Sequence, residues 1–175
     1  FVCSMGDLFH REVPREAIKS LSGIAVDCPQ HTFLWLTKRG ERMATYTRED
    51  PPPPNVWCGV SASTQDEWDA ACYHLSRTRA AVKWISAEPL VERITPGATL
   101  QSSVVSWVVV GGESISGRAG RPMNDEWVQW MITRCRNQSP DTRIFVKQLH
   151  RDGRVCHDLD SFPDWAKVRQ TPEVM

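Results

Sequence analysis

Six short apolar runs, FVCSM, TFLWLT, NVWCGVS, AVKWIS, VSWVVVGG and RIFVKQL, punctuate the chain of 175 residues. Each is mostly apolar rather than strictly alternating, the pattern of strands buried on both faces. Between the runs the period becomes helical. Pro14 is placed as the first residue of a helix whose apolar stripe is Ile18, Leu21 and Ala25, and CPQ ends it. A short helix is predicted around Glu41 to Thr45. TQDEWDAACYHLSRTR has Thr64 as its cap, acids in its first turn, and Trp68, Cys72 and Leu75 on one face. NDEWVQWMITRCRN is capped by Asn124 in the same way. The proline run at 51–54 reads as a stiff extended lead-in to the third strand. Residues 87–104 show no strong helix, so one crossover is expected to be irregular.

Strands alternating with helices predict an α/β fold with a parallel sheet and right-handed crossovers. An open doubly wound sheet and a (β/α) barrel both satisfy the pattern. The tail from Arg151 is polar and proline-bearing, and is expected to wrap the outside.

Composition narrows the class without changing the fold. Apolar residues make up 41% and charged residues 24%, and Lys plus Arg equals Asp plus Glu at 21 each. A net charge of zero argues against coating DNA or a membrane surface, although a local basic patch is compatible with it. No apolar run approaches the roughly 20 residues of a membrane span, and no signal-peptide pattern is present. The cytoplasm is the expected compartment, with no membrane partner. The six cysteines form no C-x-x-C pair and sit mostly in apolar patterns such as VWCGV and AACYHL, where a thiol acts as a small core residue.

Sites in parallel α/β folds form at the carboxyl ends of strands. Here those ends carry Asp7, Lys38, Ser61, Glu88, Glu113 and Lys147 in turn, a ring of polar groups suited to a polar substrate. Glu88 lies between an apolar strand and Pro89, with little room to swing outward. A buried carboxylate near Lys38 or Lys147 would need that partner. The pair could perform acid–base work or act as a structural staple. VVVGGESISGRAGRP is the richest local signal. Gly111 and Gly112 permit close approach of a ligand, Ser114 follows them, successive amides can form an anion nest, and Arg118 and Arg121 could hold a phosphate or carboxylate. A flexible glycine turn is the structural alternative. No P-loop, dinucleotide fingerprint, H-E-x-x-H or G-x-S-x-G elbow occurs, and the five histidines have no metal-ligand spacing.

Six ordered blocks, SMGDLFHREVP, HTFLWLTKRGERM, PPPPNVWCGVSAST, WISAEPLVERI, SWVVVGGESISGRAGRPM and IFVKQLH, resemble the phage Gp37/Gp68 family, DUF5131. The similarity runs to about Phe162. It implies a radical-SAM-like protein of phage or mobile elements, with S-adenosylmethionine and a [4Fe–4S] cluster in the full-length family member. It also implies a three-cysteine C-x3-C-x2-C segment upstream of SMGDLF. Cys3 has no companions at that spacing, so this chain alone is expected to bind neither a cluster nor another metal. The expected architecture is then an incomplete parallel (β/α) barrel at 1–150, about six strands of a TIM-type barrel that usually needs about 250 residues. A polar tail at 151–175 would pack on it. The three cysteines would come from a missing amino-terminal segment or from a partner protein.

On this resemblance Lys38, Glu88, Glu113 and Lys147 would orient substrate and cofactor as catalytic residues. Asp7, Ser61, Gly111, Gly112, Ser114, Arg118 and Arg121 would bind the cofactor. A nucleotide or nucleic acid is the implied substrate. The alternative is a non-catalytic barrel module that binds a ligand or a partner. Gly111-Gly112-Glu113 matches a radical-SAM motif in letters, but that motif belongs to an early strand, and this tripeptide closes the penultimate one.

Overall fold

A computed structural model describes residues 1–97, 104–116 and 118–173. Helix α1 (Arg15–Asp27) precedes strand β1 (Phe33–Thr37), and α2 (Gly40–Glu49) leads to β2 (Val56–Ser61). Helix α3 (Gln65–Ser76) leads to β3 (Val82–Ala87), and β4 (Trp107–Gly111) follows. Two short strands, β5 (Ser114–Ile115) and β6 (Arg118–Ala119), then precede α4 (Asp125–Gln138). Strands β7 (Arg143–Arg151) and β8 (Arg154–Cys156) complete the sheet.

The strand order is β1-β2-β3-β4-β7-β8-β6-β5. The first five are parallel and in chain order, as the strand–helix alternation predicts. The last three run antiparallel to their neighbours. The whole is a curled half-barrel of mixed direction rather than the all-parallel barrel segment expected. The difference comes from tight hairpins that the apolar pattern cannot reveal. Asp152 and Gly153 take φ of 50° and 70° and return β7 into β8, as the common two-residue hairpin turn requires.

Three further expectations are corrected. FVCSM is not a buried strand. Only Val2 makes a parallel bridge, to Trp35. Cys3 adopts φ 56°, Gly6 N–H closes a turn on the Cys3 carbonyl, and Phe1 and Met5 are exposed. Pro14 is the extended N-cap of α1, not its first helical residue. The short helix of residues 41–45 extends over all of α2. The irregular crossover has a described part up to Gly97, and residues 98–103 of that link lie outside the described residues. The expected boundary at residue 150 falls inside β7. The tail does pack on the sheet. Val146 N–H donates to the Val168 carbonyl and Gln170 N–H to the Ile144 carbonyl, which covers the free side of β7 with backbone bonds.

Alternate strand residues build two cores. On the helix side, Trp35, Cys58, Ile85, Val108, Val110, Ile144 and Val146 pack against Trp68, Leu75, Val128 and Met131 of α3 and α4. On the concave side, Trp57, Val82, Trp84, Trp107 and Val109 form a second cluster with Leu34, Leu36 and Phe145. Its central row, Leu36, Gly59, Trp84 and Trp107, is set by the strand register. This aromatic floor underlies the candidate site.

Candidate functional site

A cavity of about 440 Å³ opens at the carboxyl ends of the parallel strands, lined by the Phe1–Ser4 segment with Asp7, Leu36, Lys38, Arg39, Ser61, Glu88 and Lys147. Asp7, Lys38, Ser61, Glu88 and Lys147 therefore converge as the strand-end pattern predicts. Period two explains the convergence on β3. Trp84, Ser86 and residue 88 share the concave face, so the carboxylate just past the strand end points inward.

Glu88 is the most enclosed charge in the cavity, with its side chain 15% exposed. Ser86 Oγ donates to its Oε2 at 3.0 Å. Lys147 Nζ lies 3.0 Å from Oε1 as an ion pair. That contact is not aligned as a hydrogen bond, and no other donor among the described residues reaches this buried oxygen. Gly111 accounts for the fit. A Cβ there would sit 2.8 Å from Glu88 Oε1, so the glycine makes room for the carboxylate. Ser61 Oγ donates weakly to the Glu88 carbonyl at 3.4 Å. Lys38 is exposed and forms no ion pair with the described residues.

Asp7 joins the wall in a different way. Its carboxylate accepts from Phe9 N–H at 2.9 Å, Thr37 Oγ1 at 2.6 Å, Lys38 N–H at 3.2 Å and Arg39 Nη1 at 2.7 Å. Burial alone would raise its pKa, but these donors outweigh it and hold the group below the usual carboxylate range. Asp7 is thus a staple that ties the amino-terminal segment to the end of β1.

The other expected residues are not brought into this cavity. Glu113 is gripped by Arg121, whose backbone N–H, Nε and Nη2 donate to it at 2.8, 3.0 and 2.6 Å. The same contacts push its pKa down to about 2. Gly112 makes room for the His150 ring, since a Cβ there would lie 2.3 Å from Nε2. Its N–H donates to the Gln148 carbonyl. Ser114 is exposed on β5 and Arg118 is exposed on β6. Among the described residues of the glycine-rich stretch, β5 pairs with β6 and the Gly112 amide and Arg121 are already committed, rather than left free to form an open anion nest.

Thr37 and Arg39, which flank Lys38 at the end of the TFLWLT run, belong to the site, and so does Ser86, which no motif marks. Ser86 was within reach of the period-two rule applied backwards from Glu88. What the sequence does not show is that Thr37 and Arg39 donate to Asp7, some thirty residues earlier. Among the described residues no three His, Cys, Asp or Glu side chains group as a metal ion would require. Cys58, Cys72 and Cys135 are buried, and burial pushes the Cys58 and Cys135 thiols up to about 12. No helix among the described residues is long and apolar enough to cross a membrane.

These features define an α/β half-barrel with a polar cavity at the carboxyl end of its parallel strands. Residues 1–157 match the model of the family described as "Protein of unknown function (DUF5131)", and the chain belongs to that family. No curated protein and no solved structure matches it.

Proposed function

We propose that the cavity binds the aminocarboxyl group of a small molecule, and that this molecule is S-adenosylmethionine. The proposal adopts the radical-SAM-like, phage Gp37/Gp68 reading of the family, in which the protein acts on a nucleotide or nucleic acid. The observation that carries it is Glu88, a cavity-lining carboxylate whose buried Oε1 lacks an aligned donor, in the cavity that also holds Lys38, which has no ion pair among the described residues. A ligand ammonium would supply the missing donor to Glu88, and the ligand carboxylate would pair with Lys38. Ser61 and Lys147 stand beside the pair to fix orientation. Leu36 and the Phe1–Cys3 wall offer apolar surface to the rest of the molecule. The volume lies within the about 300–1,000 Å³ of small-molecule sites.

S-adenosylmethionine supplies a methionyl zwitterion and a sulfonium when bound. This chain's part in the proposal is to hold the zwitterion and shield it from water. The described residues contain no ligand set for an iron–sulfur cluster, so the proposal assigns cluster ligation to three cysteines outside them, on another segment or a partner protein.

Calorimetric titration tests the reading. S-adenosylmethionine and S-adenosylhomocysteine should bind, and adenosine, which lacks the aminocarboxyl group, should bind at least tenfold more weakly. Glu88→Gln and Lys38→Ala should each weaken the first two by about tenfold, the value of one charge-assisted hydrogen bond of about 1.4 kcal/mol. Equal binding of adenosine, or unchanged affinity in both variants, would sink it.

A further inference from the structure

The small antiparallel sheet carries a second cluster of charge that the cavity does not use. Its register sets Ile115 opposite Arg118, Arg118 opposite Arg154, and Arg154 opposite Arg151. Residues directly opposite on neighbouring strands share a face. Three arginines therefore stand in one row across β6, β8 and β7, their stems at steps of about 5 Å. The row's side of the sheet is fixed by its neighbours. Leu149, two residues before Arg151, is packed in the helix-side core. Arg151 itself reaches Asp125 at the start of α4, with Nη1 and Nη2 each at 2.9 Å. His150, between them in sequence, lies against Gly112 instead. The row thus faces away from the carboxyl-end cavity.

Only one end of the row is neutralised. Asp125 pairs with Arg151, whereas Arg118 and Arg154 are exposed and have no acidic partner among the described residues. Like charges directly opposite each other weaken a ladder, and here they occupy strands of two and three residues. An anion laid across both would remove that cost. Planar guanidinium forks match phosphate oxygens two at a time. A straight row suits a chain of phosphates better than a single carboxylate, and the exposed Ile115 at its end gives an apolar contact for a base. With a net charge of zero over the chain, such attraction is local to the strip.

We infer that the Arg118–Arg154–Arg151 row is a docking strip for the phosphodiester backbone of single-stranded nucleic acid. This does not depend on what the cavity binds. The test is fluorescence anisotropy with a labelled single-stranded oligonucleotide of about 12 nucleotides, a span typical of single-strand binding modules, across a salt series. Wild type should bind with an affinity that falls as salt rises. The pair Arg118→Ala with Arg154→Ala should weaken binding alike for different sequences and flatten the log–log salt slope by about 1.4, or about 0.7 per lost phosphate contact. Arg118→Lys with Arg154→Lys should keep most of the slope, and Arg11→Ala, at an exposed position elsewhere, should leave it unchanged. Because the alanine pair removes a like-charge contact, its melting temperature should equal or exceed that of wild type. No binding by wild type at about 50 mM salt, an unchanged slope in the alanine pair, or equal binding of polyglutamate overturns the inference. A lowered melting temperature overturns its like-charge premise.

Discussion

Replacing Gly59 with alanine should destabilise the protein far more than its one added methyl group would elsewhere. Gly59 sits opposite Trp84 in the concave row. A Cβ there would lie 2.3 Å from Trp84 Cε2, 2.5 Å from Nε1 and 2.6 Å from Cδ2. Non-bonded carbons settle at about 3.5–4.0 Å, so the indole would have to retreat by more than about 1 Å. It has nowhere to go. Trp84 is fully buried, the Trp107 ring centroid is 5.2 Å away, and its Nε1 donates to the Trp57 carbonyl at 3.3 Å. Overpacking costs about 1–3 kcal/mol, and a buried donor pulled from its acceptor costs a similar amount. Gly59→Ala should therefore lose about 2–5 kcal/mol, although alanine is ordinarily the better strand residue. Urea unfolding followed by tryptophan fluorescence and far-ultraviolet circular dichroism measures the loss. All three contacted atoms belong to the five-membered ring, which a phenyl group lacks. Trp84→Phe combined with Gly59→Ala should then be less destabilised than the sum of the single changes, with coupling of at least about 1 kcal/mol. A Gly59→Ala protein within about 0.5 kcal/mol of wild type, or strictly additive losses, would refute the packing account.

Electrostatics sets two further outcomes. In alkylation at pH 8 read by mass spectrometry, the exposed Cys3 should react first and the half-buried Cys28 and Cys156 next. Cys58, Cys72 and Cys135 should stay unmodified until denaturant is added, because they are buried and the Cys58 and Cys135 thiols are pushed up to about 12; early labelling of Cys58 would contradict the closed core. Glu113 should titrate near about 2, against 4.5 for a free glutamate, and return towards 4.5 in Arg121→Ala, as carbon-detected carboxyl resonances would show. Since its folded pKa is the lower one, its stabilisation is present above the free value of 4.5. It is lost as pH falls towards about 2. Asp7, also depressed, adds to acid lability with the same sign; a hairpin and amino-terminal segment as well ordered at pH 2 as at pH 6 would refute both.

The parallel half of the fold was legible because its cause is local. TFLWLT, NVWCGVS, AVKWIS, VSWVVVGG and RIFVKQL are long enough to be buried on both faces, and the structure buries them between the helices and the tryptophan row. The caps were equally local, since Thr64 and Asn124 accept from Glu67 and Glu126 as their residue types require. The amino-terminal run misled because apolar composition alone cannot distinguish a strand from a segment that folds over a cavity. Cys3 enters the left-handed region and turns the chain after one bridge. Strands β5, β6 and β8 are two or three residues long, below the length at which any period can be counted.

The two strand-end glutamates show where the same rule holds and where it stops. Glu88 lies one residue past β3, and the alternation of Trp84 and Ser86 carries through to it. Its described side-chain partners, Ser86 and Lys147, both stand at the cavity, so the inward position implied by sequence is the one it occupies. Glu113 lies two residues past the end of β4, and the β4–β7 register steps from Val110–Val146 to Gly111–Gln148, with the extra residue, Lys147, on β7. The chain then enters β5 and β6, which bring Arg121 back beside Glu113, with Gly120 packed against the carboxylate. The partner that captures Glu113 lies only eight residues away, yet the pairing depends on a hairpin that exists because β8 offers it an edge. A strand-end carboxylate therefore belongs to the cavity only while the strand's own alternation, rather than a neighbouring strand, decides where it points.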